Sequence, residues 1–396
     1  MKKYSQYLLI ITALVGVSPL AIHAKITNKG TFDVTRLNKG NPIITEAMFQ
    51  ALGATEYEGT SINGPSVIRI PDWIAKEDRA NPEAKYYLYF AHHSDKYIRM
   101  AWAANIQGPW HLYDVGSKVK LGNRGVLDLG STSMPIGNGI ELAHNHIASP
   151  NPHVDHENKR IVMYFHSGSR TTVNGKRIKG QKTLVATSAL GLEFAGKVEP
   201  VIIANSYLSV FAYNGELYGL DNGANSYKAR DSKNPWQPPK GWDFSDELWI
   251  KSKKNGYRDN IKKLGFSSDQ LRVRHTSSLV KGDTLYTFFS QRGVNAPERI
   301  MMSTTDLAAA KSYKDWDPTY PPEEIYWAQP GWEGGELKHI PSKSGRAAEN
   351  LNELRDPYIF EDSDGELYVF YCGRGEDAIG VIHLKPQFDL SKPKNN

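Results

Sequence analysis

AHNHIASPNPHVDHENKRIVMYFHS, residues 143–167, reads as two extended runs around a polar turn, and it sets the reading of the whole chain. The first limb, 147–154, carries Pro150 and Pro152, so it suits a strand that donates few ladder hydrogen bonds. The turn, 155–159, is Asp-His-Glu-Asn-Lys, rich in turn formers. The second limb, 160–166, is β-branched and aromatic, as a packed strand should be. Five of the chain's 12 histidines fall here: His144, His146, His153, His156 and His166. His146 enters the first strand and His166 leaves the second. Antiparallel pairing therefore brings both imidazoles to one edge of the sheet, beside Asn145 and Asn151. A histidine at a strand end is most often a solvated surface group, and His153 and His156 are read that way.

The same theme recurs along the chain from Gly64 onward. A strand pair is followed by a third strand and a short fourth that often holds a Trp. The first unit comprises 65–70, 86–92, 97–103 and 109–113. The histidine hairpin opens the second, which continues with 182–188 and 191–196. The third has 207–211 and 216–220. The fourth has 271–275, 284–291 and 299–304. The last has 355–360, 366–372 and 378–384. Asn214-Gly215, Lys281-Gly282-Asp283 and Asp364-Gly365 sit at equivalent places and are tight hairpin signals. Helical periodicity is nearly absent. Four-stranded units repeating at this length predict an all-β fold, a single β-propeller with five readable blades. The connections 115–142 and 321–350 have room for further strands or for a cap on one face. No linker or low-complexity segment divides the chain, so one catalytic domain over 25–396 is expected.

Residues 1–24 read as a secretory signal: Lys2 and Lys3, an apolar run over 8–17, and Ile22-His23-Ala24 before the cleavage point. That apolar run is too short to span a bilayer comfortably. A secreted or periplasmic protein with no membrane span is expected. Cys372 is the only cysteine, so no intrachain disulfide can form. The net charge of +5 and pI near 8.9 favour an acidic partner, and no basic run points to nucleic acid. An 11% aromatic content with nine Trp suits a protein that handles carbohydrate.

In a propeller the first strand of each blade lines the axis, and its starting end faces the binding surface. The residues at those ends are Asn63-Gly64, Ser149-Pro150-Asn151, Ser206-Tyr207, Arg274-His275 and Arg355-Asp356. A glycoside hydrolase needs paired carboxylates there. Only Asp356 qualifies, and Arg355 is expected to pair with it; Glu349, Glu353, Glu376 and Asp377 are nearby in sequence but belong to the same unit. The other ends offer Tyr207, His146, His166, Arg272, Arg274 and His275, with Arg230 in a polar loop. That set suits β-elimination at a uronate. A cation neutralises the carboxylate, a neutral imidazole takes the C5 proton, and a phenol protonates the leaving oxygen or, where a nearby Arg lowers its pKa, serves as the base. Arg is suited to the carboxylate because its fork grips both oxygens. Each of these residues alone is more often packing or solvated surface; the conjunction carries the reading.

The hairpin, with His146 and His166 twenty residues apart and Tyr207 about forty further on, resembles the ulvan lyases of polysaccharide lyase families 24 and 25. The resemblance implies a secreted lyase of ulvan, a sulfated algal polysaccharide containing uronic acid, and a propeller of seven blades. It assigns Tyr207 and His146 as the acid–base pair, with His166 assisting. Arg230 and Arg272 or Arg274 would bind the substrate carboxylate, beside Asn151. Tyr213, in the same strand, is the alternative to Tyr207. It also suggests a structural zinc ion, for which His275, Cys372 and His383 are the available soft ligands; a buried thiol that only packs is the competing reading of Cys372. No organic cofactor is implied, and the protein is expected to act as a monomer on an acidic polysaccharide. Two alternatives remain. Tyr86-Tyr-Leu-Tyr-Phe, Gly108-Pro109-Trp110 and Arg355-Asp356-Pro357 resemble glycoside hydrolase family 43, although carboxylates are missing from the first three units. A non-catalytic polysaccharide-binding propeller is the other.

Overall fold

A computed structural model describes residues 30–391, apart from 55–58, 95, 114–124, 129–134, 137–139, 142–143, 170–171, 174–175, 197–200, 244–245 and 348–349. The expected signal segment lies outside the described residues. Antiparallel four-strand sheets recur five times, giving a five-bladed β-propeller. Blade one is Ile62–Arg69, Tyr86–His92, Tyr97–Ala103 and Trp110–Leu112. Blade two is His144–Asp155, Arg160–Ser169, Gly180–Ser188 and Ala195–Gly196. Blade three is Ser209–Tyr213, Glu216–Leu220, Ser226–Lys228 and Ile250–Lys251. Blade four is Leu271–Lys281, Thr284–Gly293, Ile300–Asp306 and Glu323–Tyr326. Blade five is Arg355–Glu361, Leu367–Gly373, Ala378–Pro386 and, from the other end of the chain, Phe32–Arg36.

Five blades, not the seven that the lyase resemblance implies, close the ring. The fourth strand of blade four, Glu323–Tyr326, lies in a connection where the sequence left room for one. The strand Phe32–Arg36 was not anticipated. It pairs antiparallel with Ile382–Pro386, Phe32 opposite Pro386 and Arg36 opposite Ile382, and so ties the ends of the chain into one sheet. Arg36 reinforces the closure through an ion pair to buried Glu333 at 2.9 Å.

The alternating strands bury apolar side chains between neighbouring blades, because each sheet has two faces to cover. Tyr87, Tyr89, Met163 and Phe165 fill the layer between blades one and two. Phe90, Val67, Phe370 and Ile379 fill the one between blades one and five. Phe288, Met302, Val369 and Tyr371 pack between blades four and five. Trp249, Tyr227, Val185 and Tyr164 join blades two and three. Trp316, Phe211 and Leu285 contribute to the layer joining blades three and four.

Candidate active site at the mouth of the propeller

A β-bulge recurs at the start of the inner strands. In blade one the register steps from Asn63 opposite Ala91 to Ser66 opposite Tyr89, so Gly64 and Pro65 face a single partner residue. The same step skips Ser149-Pro150 in blade two, His275-Thr276 in blade four and Asp356-Pro357 in blade five. The first bulge residue is left-handed each time: Gly64 (φ 62°), Ser149 (49°), His275 (55°) and Asp356 (52°). Tyr207, just before the inner strand of blade three, matches them at φ 60°. Proline at the second position in three blades fits a residue that owes the ladder no N–H. Side chains in this backbone state are strained, and such residues gather where a fold holds functional groups in place. These five residues ring a narrow axial cavity of about 40 Å³.

The ring assembles an aromatic and imidazole stack. Tyr207 lies between His166 (centroids 4.3 Å apart, 27° between planes) and His275 (4.6 Å, 35°). His166 faces His146, Nε2 to Nε2, at 2.9 Å, and His146 is also 3.3 Å from the Gln181 amide nitrogen. Burial pulls His146 down to about 4 and His166 well below the usual histidine range, so both rings are neutral near pH 7. The Tyr207 phenol is pushed well above its usual range, first by burial and then by the charge of Asp356, which makes it a proton donor rather than a base. His275 Nδ1 contacts Asp356, whose other oxygen accepts from the Gly64 N–H at 2.9 Å. Burial opposes the Asp356 charge, but His275 beside it outweighs that and holds the carboxyl below its usual range.

Above this ring opens a cavity of about 170 Å³ lined by His93, Gln181, Tyr207, Asn222, Arg272, Arg274, His275, Arg292, Ser344 and Gly345. No carboxylate is in that lining. Arg272 and Arg292 are cross-strand partners on blade four, and Arg274, two residues along the strand, shares their face. Arg274 is already engaged, with Glu298 at 3.3 Å and the Lys343 carbonyl at 3.0 Å. Among the described residues no hydrogen bond or ion pair engages the Arg272 or Arg292 guanidinium. Burial and the charges of Arg272 and Arg274 lower the Arg292 pKa, and together they outweigh the opposing charges of Glu298 and Asp269.

Several expected residues thus meet: His146, His166, Tyr207, His275, Arg272 and Arg274. Others do not. Arg230 is exposed at the outer edge of blade three, stacked on Trp242 at 4.6 Å and donating to the Leu248 carbonyl. Tyr213 ends its strand on the opposite face of the ring, where its hydroxyl donates to Asp283 at 2.7 Å. Asn151 stands in the channel wall, its Oδ1 accepting from the Val210 N–H at 3.1 Å and within 2.7 Å of His153 Nε2. His153 is therefore a packed residue rather than a solvated one. Arg355 does not pair with Asp356. It is buried among Glu353, Glu376 (3.0 Å) and Glu298 (3.8 Å).

The proposed zinc ligands are not brought together. Cys372 lies opposite Ile379 in the blade-five ladder, whereas His383 lies opposite Tyr368, further along the same pair of strands, and contacts Glu366. The Cys372 thiol is 3.9 Å from Asp356, and burial raises its pKa far above the usual range, the reverse of what a metal thiolate needs. Among the described residues no cluster of three His, Cys, Asp or Glu side chains could hold a metal ion. These residues do not fit a zinc site.

What the sequence missed comes from a second recurring place, the turn joining second and third strands, which faces the same mouth. His93, Asn222, Glu298 and Glu376 all sit in such turns, and Arg292 and Gln181 flank them. They hold no fixed place in the turn: His93 directly follows its strand, whereas Glu298 lies five residues beyond Gly293, so no repeat aligns them.

No family profile matches the chain. The uncharacterized protein R118 of Acanthamoeba polyphaga mimivirus is 29% identical over 332 residues, 82% of this chain and 83% of its own. Among solved structures, a thermostable family-43 glycoside hydrolase superposes with TM-score 0.50 at 14% identity, covering 85% of this chain and 96% of its own. A family-43 β-xylosidase/α-arabinofuranosidase from a compost metagenome gives TM-score 0.50 at 13% identity over 89% and 95%. At such identities the likeness is one of fold.

Proposed function

We propose that the chain is a polysaccharide-degrading enzyme that breaks uronate glycosides by β-elimination at the propeller mouth. The observation that supports this most is the cavity itself: three guanidiniums, two of them unpaired, beside a protonated tyrosine and the imidazoles of His93 and His275, with no carboxylate in the lining. Arg272 and Arg292 would hold the uronate carboxylate, which makes the neighbouring C5 proton removable. An imidazole of the mouth takes that proton, and Tyr207 gives its own to the leaving oxygen. Two unpaired cations also suit a substrate with a second anion nearby, such as the sulfated, uronate-containing polymer ulvan.

A glycoside hydrolase is the second reading. The comparisons back it better than elimination, since the two solved structures described above are family-43 enzymes. Against it, Asp356 is the sole carboxylate among the five left-handed mouth residues, and it is committed to His275 and Gly64.

Incubation with ulvan, alginate and polygalacturonate, and in parallel with xylan and arabinan, separates the two. Elimination yields a conjugated unsaturated uronate with strong ultraviolet absorbance. Reducing ends released from any of these polymers without that absorbance would establish the hydrolase instead.

A further inference from the structure

Elimination needs one imidazole with a free lone pair facing the substrate, and the mouth holds several. His146 and His166 spend their Nε2 atoms on one another, at 2.9 Å, and His275, whose Nδ1 also faces a carboxylate, Asp356, keeps only 8% of its side chain exposed. His93 differs. It opens the turn after the second strand of blade one, lines the 170 Å³ cavity, and keeps 21% of its side chain exposed. Its Nδ1 faces Glu376 Oε1 at 3.3 Å, across the junction of blades one and five. Glu376 is itself fixed by Ser61 (3.0 Å), Asn63 (3.3 Å), Arg355 (3.0 Å) and the Ala347 N–H (3.3 Å). A carboxylate on Nδ1 holds the ring proton there and leaves the lone pair on Nε2, which no described residue engages.

We propose that His93, oriented by Glu376, is the base that takes the C5 proton, with Tyr207 on the same cavity wall as the acid. This rests on the elimination reading above. The C5–H electrons become the C4–C5 double bond, the C4–O bond breaks, and the leaving oxygen takes the Tyr207 proton. The His93 imidazolium then returns a proton to the phenolate through water, so the enzyme is unchanged. Glu376 acts as a positioning residue through His93. The charged and titratable groups around His93 are Glu376 from blade five, His146 and His166 from blade two, its own neighbour His92 and, across the shared cavity, Tyr207 from blade three and Arg272, Arg274, His275 and Arg292 from blade four.

The test is steady-state kinetics on ulvan across pH, read as unsaturated product. His93→Gln should lose about 100-fold or more in kcat, with KM little changed, and added imidazole should restore part of the rate to His93→Gly. Glu376→Gln should lower kcat by about 10- to 100-fold with KM little changed, and Glu376→Asp should recover part of that loss. Should Glu376→Gln fail to fold, the two His93 variants decide alone. A wild type that makes unsaturated product while His93→Gln keeps more than a tenth of its turnover overturns this assignment and leaves elimination standing. A wild type that makes none removes both.

Discussion

His146 and His166 meet Nε2 to Nε2 at 2.9 Å, so one ring donates its N–H and the other accepts. The pair holds only while at most one ring is protonated, since protonating both would leave two N–H groups and two cations facing each other. His92 is equally committed: burial pulls it down to about 3, and the Ser94 N–H donates to its Nδ1 at 3.2 Å.

Stability should therefore depend on pH through histidine. In the unfolded chain these rings protonate near pH 6.5, whereas folded His146 and His92 stay neutral to about 4 and 3. The unfolded state thus binds more protons in this window. Stability should be full above about pH 6.5 and fall as pH drops toward 4, by about 1.4 kcal/mol per pH unit for each buried ring. Depressed carboxyls such as Asp356 and Glu376 add their loss only below about pH 4.5. Denaturant titrations from pH 8 to 4 read the slope, and His166→Gln should flatten it. A midpoint constant over that range would contradict the neutral-histidine account.

Tyr207→Phe keeps the ring between His166 and His275 and deletes only the hydroxyl. Turnover should fall about 100- to 10,000-fold, with polysaccharide binding nearly intact. If the variant retains a tenth of the wild-type rate, the tyrosine only packs.

Arg272→Ala and Arg292→Ala should each lower the rate on a uronate polymer by about 100- to 1,000-fold. Arg230→Ala should leave it unchanged, because that side chain lies outside on Trp242. Equal losses at all three positions would mean that the surface charge as a whole, not this cavity, binds the substrate.

Cys372→Ala should change stability by about 1–2 kcal/mol through lost packing and leave metal content unaltered. Elemental analysis of both proteins checks it. Stoichiometric zinc that disappears with the thiol would restore the metal reading.

Arg36→Ala should destabilise the ring by about 1–3 kcal/mol. It strips the cation from Glu333, a buried carboxylate that otherwise accepts from Tyr326, Tyr371 and the Gln329 N–H. Thermal melting of the variant beside wild type gives the answer; an unshifted transition would show that closure does not lean on this pair.

The blades were legible because a strand carries its period in its own residues, and Asn214-Gly215 or Asp364-Gly365 marks its own turn. The mouth was half legible for the same reason: His146, His166, Tyr207 and His275 sit at strand ends that a repeat can align. Arg355 was misread because its neighbour in sequence, Asp356, turns to His275, while its partners Glu298 and Glu376 arrive from other turns. His93 carried no signal of its own, since its meaning depends on a glutamate from blade five. Phe32–Arg36 looked like any short polar-apolar stretch, because the strand it completes comes from the far end of the chain.

That closure also fixes how the molecule would answer a mechanical load. Phe32 and Pro386 sit at the same end of their ladder, so tension applied through the two chain ends peels the pair open from there. Its hydrogen bonds would be loaded one after another rather than together. The ring should part at this seam under modest force while the other four blades are still intact.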